Sequence, residues 1–285
     1  MRSVLPFGVS QFTTWPWSFE RDLDRYAAHG IPAIEICEFK LDKNDYAPQL
    51  NAIARAGLAV SSVQSAVHSL FPDSLAAQPT APDDRVRHMK LAIERIAPYV
   101  PEGTPFVVIT GAAPDGNTAR VYEKALDAFG DLAAFAARHE MRLAYEPLNP
   151  ILFNTDTALW GLDQALELVR CVGHEALGLC VDTWNIFQTP DLHAVIRACG
   201  DRIFLVQVSD WHRPRSGADR ISLGEGEIDN AAIVRTIRET GYTGSYVLEI
   251  FSGESLPDSI WRSDLDAVLK NNLDAFGRLW ERIMR

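Results

Sequence analysis

No stretch of this chain approaches the roughly 18–20 consecutive apolar residues that a membrane-spanning helix needs. The N-terminal run MRSVLPFGVSQ is too short and too broken for the apolar core of a secretory leader. Lys/Arg runs are also missing: 27 basic residues face 38 acidic ones, a net charge of −11. Such a chain has no broad attraction to a phosphate backbone, so nucleic acid is not an expected partner. The four cysteines, Cys37, Cys171, Cys180 and Cys199, are far apart and form no CxxC pair. A zinc knuckle or disulfide framework is thereby disfavoured, and buried, reduced thiols in a cytoplasmic protein are expected. The first strand candidate runs into GVSQFTTW, which lacks the glycine-rich phosphate turn of a doubly wound nucleotide-binding sheet.

What is present is regular alternation. Eight short apolar runs read as strands: 4–10, 33–38, 58–64, 105–110, 141–146, 177–182, 203–208 and 245–250. Most are rich in Val, Ile, Leu and Phe, as strands covered on both faces should be. Amphipathic segments separate them. SFERDLDRYAAHG opens on a Ser cap with early acids and closes on Gly. DDRVRHMKLAIERIAPYV puts Val86, Met89, Ile93 and Ile96 on one face. Further helical patterns cover 46–57, 118–139, 157–173, 191–200, 229–241 and 263–283. The order predicts one α/β domain over residues 1–285, a closed (β/α)8 TIM barrel. Its longest irregular loops, 65–82 and 209–228, follow strands three and seven on the C-terminal face, where barrel active sites are built.

The strand ends carry the chemistry. Glu146 ends strand five and Asp182 strand six, while Gln207 and Glu249 lie near the ends of strands seven and eight. Four successive strands thus deliver oxygen-bearing side chains to one rim. Three crowded carboxylates repel one another and drive protonation, a conflict that a divalent cation removes. A carboxylate at a strand end can equally cap a helix or pair with arginine, but four consecutive strands doing so would be unusual. Glu35 and Glu38 also sit near a strand end; three residues apart, they point to opposite faces and read as substrate-shell or structural groups.

The segments AYEPLNP, CVDTWN, VQVSDWHRP, DRISLGEGEID and YVLEIF resemble the xylose isomerase-like superfamily of sugar isomerase/epimerase barrels. The resemblance runs over nearly the whole chain and is strongest from about residue 140 to 265. It implies one divalent ion held by Glu146, Asp182, Gln207 and Glu249. Gln207 stands where His is usual, and Asn149 and Asn185 stand where many relatives carry His. An all-oxygen ligand set suits hard Mn²⁺ or Mg²⁺ better than Zn²⁺.

Such enzymes remove a proton from a carbon beside a carbonyl. Glu146 and Glu249 are the expected acid/base pair, with the ion stabilising the enediolate. Loss of water after the same step gives the alternative, a lyase or dehydratase of keto-cyclitols or 3-dehydroshikimate, or cleavage of 3-keto-glycosides. His68, Asn149, Asn185, His212, Arg213, Arg220 and Trp15 are the expected substrate shell, for a sugar, keto-sugar or cyclitol. A salt bridge with Asp219 or Glu225 is the plainer reading of Arg220. The glycines of SLGEGEID, with two acids among them, read as turns before a helix capped by Asp229 rather than as a phosphate loop. Abasic-site nucleases share this barrel, but their His-rich metal cluster and basic face have no counterpart here. A non-catalytic sugar-binding role is the remaining alternative. Pairing into a homo-oligomer is compatible with the fold.

Overall fold

The computed structural model describes residues 5–213 and 219–285. Eight parallel strands close on themselves in chain order: β1 Phe7–Ser10, β2 Ala33–Cys37, β3 Ala59–Gln64, β4 Pro105–Val108, β5 Arg142–Tyr145, β6 Leu177–Asp182, β7 Ile203–Val208 and β8 Tyr246–Leu248. Closure is direct, with β1 paired to both β2 and β8. β6 and β7 match their sequence-predicted segments to the residue, and the other six strands lie within theirs and are shorter at one or both ends. The helices are α1 Phe19–Ala28, α2 Ala47–Arg55, α3 Pro82–Ile96, α4 Thr118–Arg138, α5 Leu162–Val172, α6 Thr183–Ile186, α7 Leu192–Cys199, α8 Asn230–Glu239 and α9 Leu265–Met284.

Local chemistry sets these boundaries. Ser18 accepts from the Arg21 N–H at the start of α1, and Asp229 accepts from Ala232 N–H at the start of α8, as expected. On α3 the buried face includes Val86, Met89, Ile93 and Ile96. Helix α5 is shorter than the periodicity over 157–173 predicts. Thr157 Oγ1 donates to Leu159 O at 2.6 Å and accepts from Leu159 N–H, which holds 157–160 out of the helix. The one-turn α6 was not anticipated; it starts where Asp182 Oδ1 takes the Trp184 N–H. Cys37, Cys180 and Cys199 are buried, but Cys171 on α5 is exposed, contrary to expectation, because it lies on that helix's outer side. Among the described residues no helix is long and apolar enough to cross a membrane.

The core lies between sheet and helices, with a second small cluster of Val107, Ala144, Cys180, Leu205 and Val247 inside the barrel. Above these residues the barrel interior turns polar. One loop there is clipped shut. Asp210 and Ile221 exchange backbone hydrogen bonds, and the Asp210 carboxylate accepts N–H groups from Trp211, Gly224 and Ile228. Gly224 has φ +81°, and a Cβ on Gly226 would collide with the Asp210 carboxylate, so both glycines serve the turn.

Candidate active site

Backbone pairing runs one residue past strands β5 and β8: Glu146 N–H bonds Val108 O at 3.0 Å and Glu249 N–H bonds Val208 O at 3.1 Å. Both side chains therefore keep a fixed position on the C-terminal rim. Asp182 closes β6 beside them. One carboxylate oxygen from each of Glu146, Asp182 and Glu249 lies within 4.8 Å of the others, and all three residues are buried. Glu146 and Glu249 line a cavity of about 180 Å³, together with Arg220, His68 and Gln64 among others, and Asp182 lies beside it under Arg220.

The donors around the cluster are specific. Asn185 Nδ2 reaches Glu146 Oε1 at 2.7 Å and Asp182 Oδ2 at 3.2 Å. Asn149 lies behind it, its N–H on Asn185 Oδ1 at 2.8 Å and its amide on Trp184 O at 2.9 Å. Asn149 thus orients Asn185, and Asn185 orients the acids. Arg220 Nη1 bridges Asp182 Oδ2 at 2.7 Å and Glu249 Oε2 at 2.5 Å. Its guanidinium stacks on Trp184 at 4.9 Å and Phe251 at 5.3 Å. The expected partners Asp219 and Glu225 are not the ones it takes.

Gln207 ties the floor together. Its amide nitrogen donates to Glu249 Oε1 at 2.9 Å and to Glu35 at 3.0 and 3.2 Å, while its oxygen accepts from Cys180 Sγ. The amide oxygen thus faces Cys180, and the nitrogen faces the acids. Glu35 points into the barrel, where it also takes the Ser62 hydroxyl at 2.6 Å. Glu38 leaves the strand and binds Tyr46 Oη and Ala66 N–H, each at 2.7 Å.

Burial dominates the electrostatics. It raises the carboxyls of Glu35, Asp182 and Glu249 above the usual range. Burial and then the neighbouring Asp182 push Glu146 up to about 8. Burial opposes the charge of Arg220, but Asp182, Glu249 and Glu146 hold it firmly protonated.

A divalent cation fits this donor set. Three carboxylates crowd round one guanidinium, a repulsion that a divalent ion relieves, and among the described residues Glu146 Oε2 has no hydrogen-bond donor. The acidic cluster could hold a metal through Glu146, Asp182 and Glu249.

Of the expected substrate shell, His68 and Arg220 line the cavity, and Asn149 and Asn185 stand behind the acids. His212 and Arg213 are not brought there: both are at the surface, and Arg213 pairs with Glu227 at 3.1 Å. Trp15 packs with Phe12, Phe39 and Trp261 at the mouth and does not line the cavity. Sequence reasoning missed Asp156, Ser74 and Leu148, which do line it. Asp156 Oδ1 accepts the Ser74 N–H at 2.7 Å, joining the loops after β5 and β3. No motif marks that pairing across 82 positions.

With this geometry in place, comparison with known proteins is informative. A family model described as a xylose isomerase-like TIM barrel matches residues 23–271. The chain belongs to that family. Among curated relatives, 3-dehydroshikimate dehydratase of Pseudomonas putida is 31% identical over 137 residues, 42% of this chain and only 19% of the dehydratase. The chain therefore matches about a fifth of that relative's length. L-Ribulose-5-phosphate 3-epimerase UlaE of Escherichia coli is 26% identical over 212 residues, 71% of this chain and 68% of the epimerase. The fold matches the crystal structure of the IolI protein with a bound zinc atom, with a TM-score of 0.77 at 16% identity, covering 97% of this chain and 98% of that one. These relatives include an epimerase and a dehydratase of small polyhydroxylated substrates, which supports an enzyme.

Proposed function

We propose that this protein is a divalent-metal-dependent isomerase or epimerase of a sugar or keto-sugar, working by proton transfer beside a carbonyl. One observation supports the reading: Glu146, Asp182 and Glu249 are buried with carboxylate oxygens within 4.8 Å of one another, and among the described residues Arg220 is the one cation bonded to them. Glu146, Asp182 and Glu249 would hold the cation, with Mn²⁺ or Mg²⁺ preferred by oxygen donors; the zinc in IolI shows that one neighbour on this fold takes a metal. When bound, such an ion supplies Lewis-acid stabilisation of the oxygen that becomes negative.

The chain's own groups do the rest. Glu146 lines the cavity and provides one proton-transfer group. Glu249 lies across the cluster and provides the second proton-transfer group. Asn185 holds Glu146 in place through its 2.7 Å hydrogen bond, and Asn149 holds Asn185. Arg220, clamped between Trp184 and Phe251, presents a fixed positive charge at the floor and stabilises charge that develops there.

The dehydratase match over 137 residues favours a second reading, a lyase on the same scaffold that eliminates water or a glycosyl oxygen after the same deprotonation. NMR in D₂O with candidate ketoses and keto-cyclitols separates the two. Deuterium entering an α carbon without loss of water supports isomerisation, and an enone product supports the lyase. Absence of both, across metal-loaded protein and a panel of such substrates, would sink the enzyme reading.

A further inference from the structure

Apart from Asp156 on the wall, the charged groups among the cavity's described lining are Glu146, Glu249 and Arg220. Above Glu146, Glu249 and Arg220 its walls are Phe12, Leu75, Leu148, Leu152 and Phe251, with Asp156 the acid among them. Phe12 and Phe251 make one continuous aromatic surface, their ring centroids 4.4 Å apart and their planes tilted by 33°. Among the described lining residues Arg220 is the sole Lys or Arg, and it is already bonded to two carboxylates. His68, also on the wall, is already partnered. Its Nδ1 must donate to the Ser65 carbonyl, at 3.1 Å, and its Nε2 faces the Asp73 carboxylate at 3.9 Å. The Ser74 N–H, a further donor at the wall, is taken by Asp156. Arg85 lies under the same loop, held by Ser69, Ala76 and Pro79 carbonyl oxygens.

Resting on the function proposed above, we propose that this cavity takes a neutral, unphosphorylated ring substrate, with its apolar C–H face against Phe12 and Phe251. A cyclic polyol has one edge of hydroxyl or carbonyl oxygens and two faces of C–H groups. The edge suits the carboxylate and guanidinium floor, and a face suits the aromatic wall. Among the described residues a phosphate dianion leaving water would meet apolar walls and an aspartate, and no cation that is not already bonded to carboxylates. The epimerase relative is named for a phosphorylated ketose, so this wall would separate the present chain from it in substrate class.

Calorimetric titration of the full chain with Mn²⁺ present tests this, using three probes: a neutral keto-cyclitol, a free ketopentose and the 5-phosphate of that ketopentose. The neutral ring should bind at least about tenfold more tightly than the phosphate ester. Phe12→Ala should weaken ring binding by about tenfold and leave Mn²⁺ binding unchanged. Leu75→Arg, which adds a cation to the wall, should strengthen ester binding. An ester that binds as tightly as the neutral probes, a Leu75→Arg variant that gains nothing for it, or no binding by any probe overturns the proposal. Deuterium exchange in the same samples tells the two ideas apart: a neutral ring that binds but exchanges no proton sinks the catalytic reading and leaves the binding one standing.

Discussion

Two buried charge clusters in this barrel differ in one respect that matters. Behind β1, Asp22 accepts hydrogen bonds from Gln11, Thr14 and Lys40, each at 2.7 Å. Lys40 also donates to Thr14 O at 2.9 Å. One acid meets one base, neutral donors fill the remaining positions, and neither Asp22 nor Lys40 lines the cavity at Glu146 and Glu249. At the mouth, three acids meet one guanidinium beside a cavity. The first cluster is complete without a ligand and holds the loop between β1 and α1 in place. The second is not balanced by the described residues alone. Buried charge is therefore weak evidence of function, whereas an unbalanced surplus facing open space is strong evidence.

The contrast can be broken from either side. The largest effect belongs to the mouth: Glu146→Gln or Glu249→Gln should lower the rate of α-proton exchange by about 10²–10⁴-fold. The metal-free melting temperature of either variant should match or exceed that of the native chain, since one of three crowded carboxylates is gone. NMR exchange rates and thermal melts check both halves. Lys40→Met should do the reverse. It leaves Asp22 buried without its ammonium partner and should cost about 3–5 kcal/mol of stability by denaturant titration, with metal affinity unchanged. The smallest effect sharpens the comparison. Arg220→Gln removes the one positive charge at the floor and should lower the metal-free melting temperature. A divalent ion at about 100 times its Kd should then add about 2.7 kcal/mol, as for any ligand that binds only the folded state. If Arg220→Gln melts like the native chain in the absence of metal, the two clusters are not different in kind.

Much of this was legible in the sequence, for a physical reason. Strand and helix periodicities are local, and a closed parallel barrel converts their order directly into geometry. That is why Glu146, Asp182 and Glu249, spread over 104 positions (249 − 146 + 1), could be placed on one rim. What failed was long-range and directional. Arg220 ignores its neighbours Asp219 and Glu225 because the aromatic slot between Trp184 and Phe251 fixes where its guanidinium points. His212 and Arg213 follow β7 closely, yet the turn there carries them outward to Glu227. Gln207 sits at the expected height, but which end of its amide faces the acids is set by Glu35 and Cys180, on other strands. Strand parity allowed at most one of Glu35 and Glu38 to point inward but not which; it is Glu35, bonded to Ser62, 27 positions away.

The clip at Asp210 has a consequence for how such a protein can change. Because Asp210 and Ile221 bind each other through their backbones, and the Asp210 carboxylate gathers the turn at 224–228, both roots of the intervening segment are anchored independently of its contents. Changes of chain length between these two roots should therefore pass little strain to the staves, provided that buried Asp219, which takes the Gly253 N–H, is kept. That segment is the natural place to graft new selectivity beside an unaltered reaction centre.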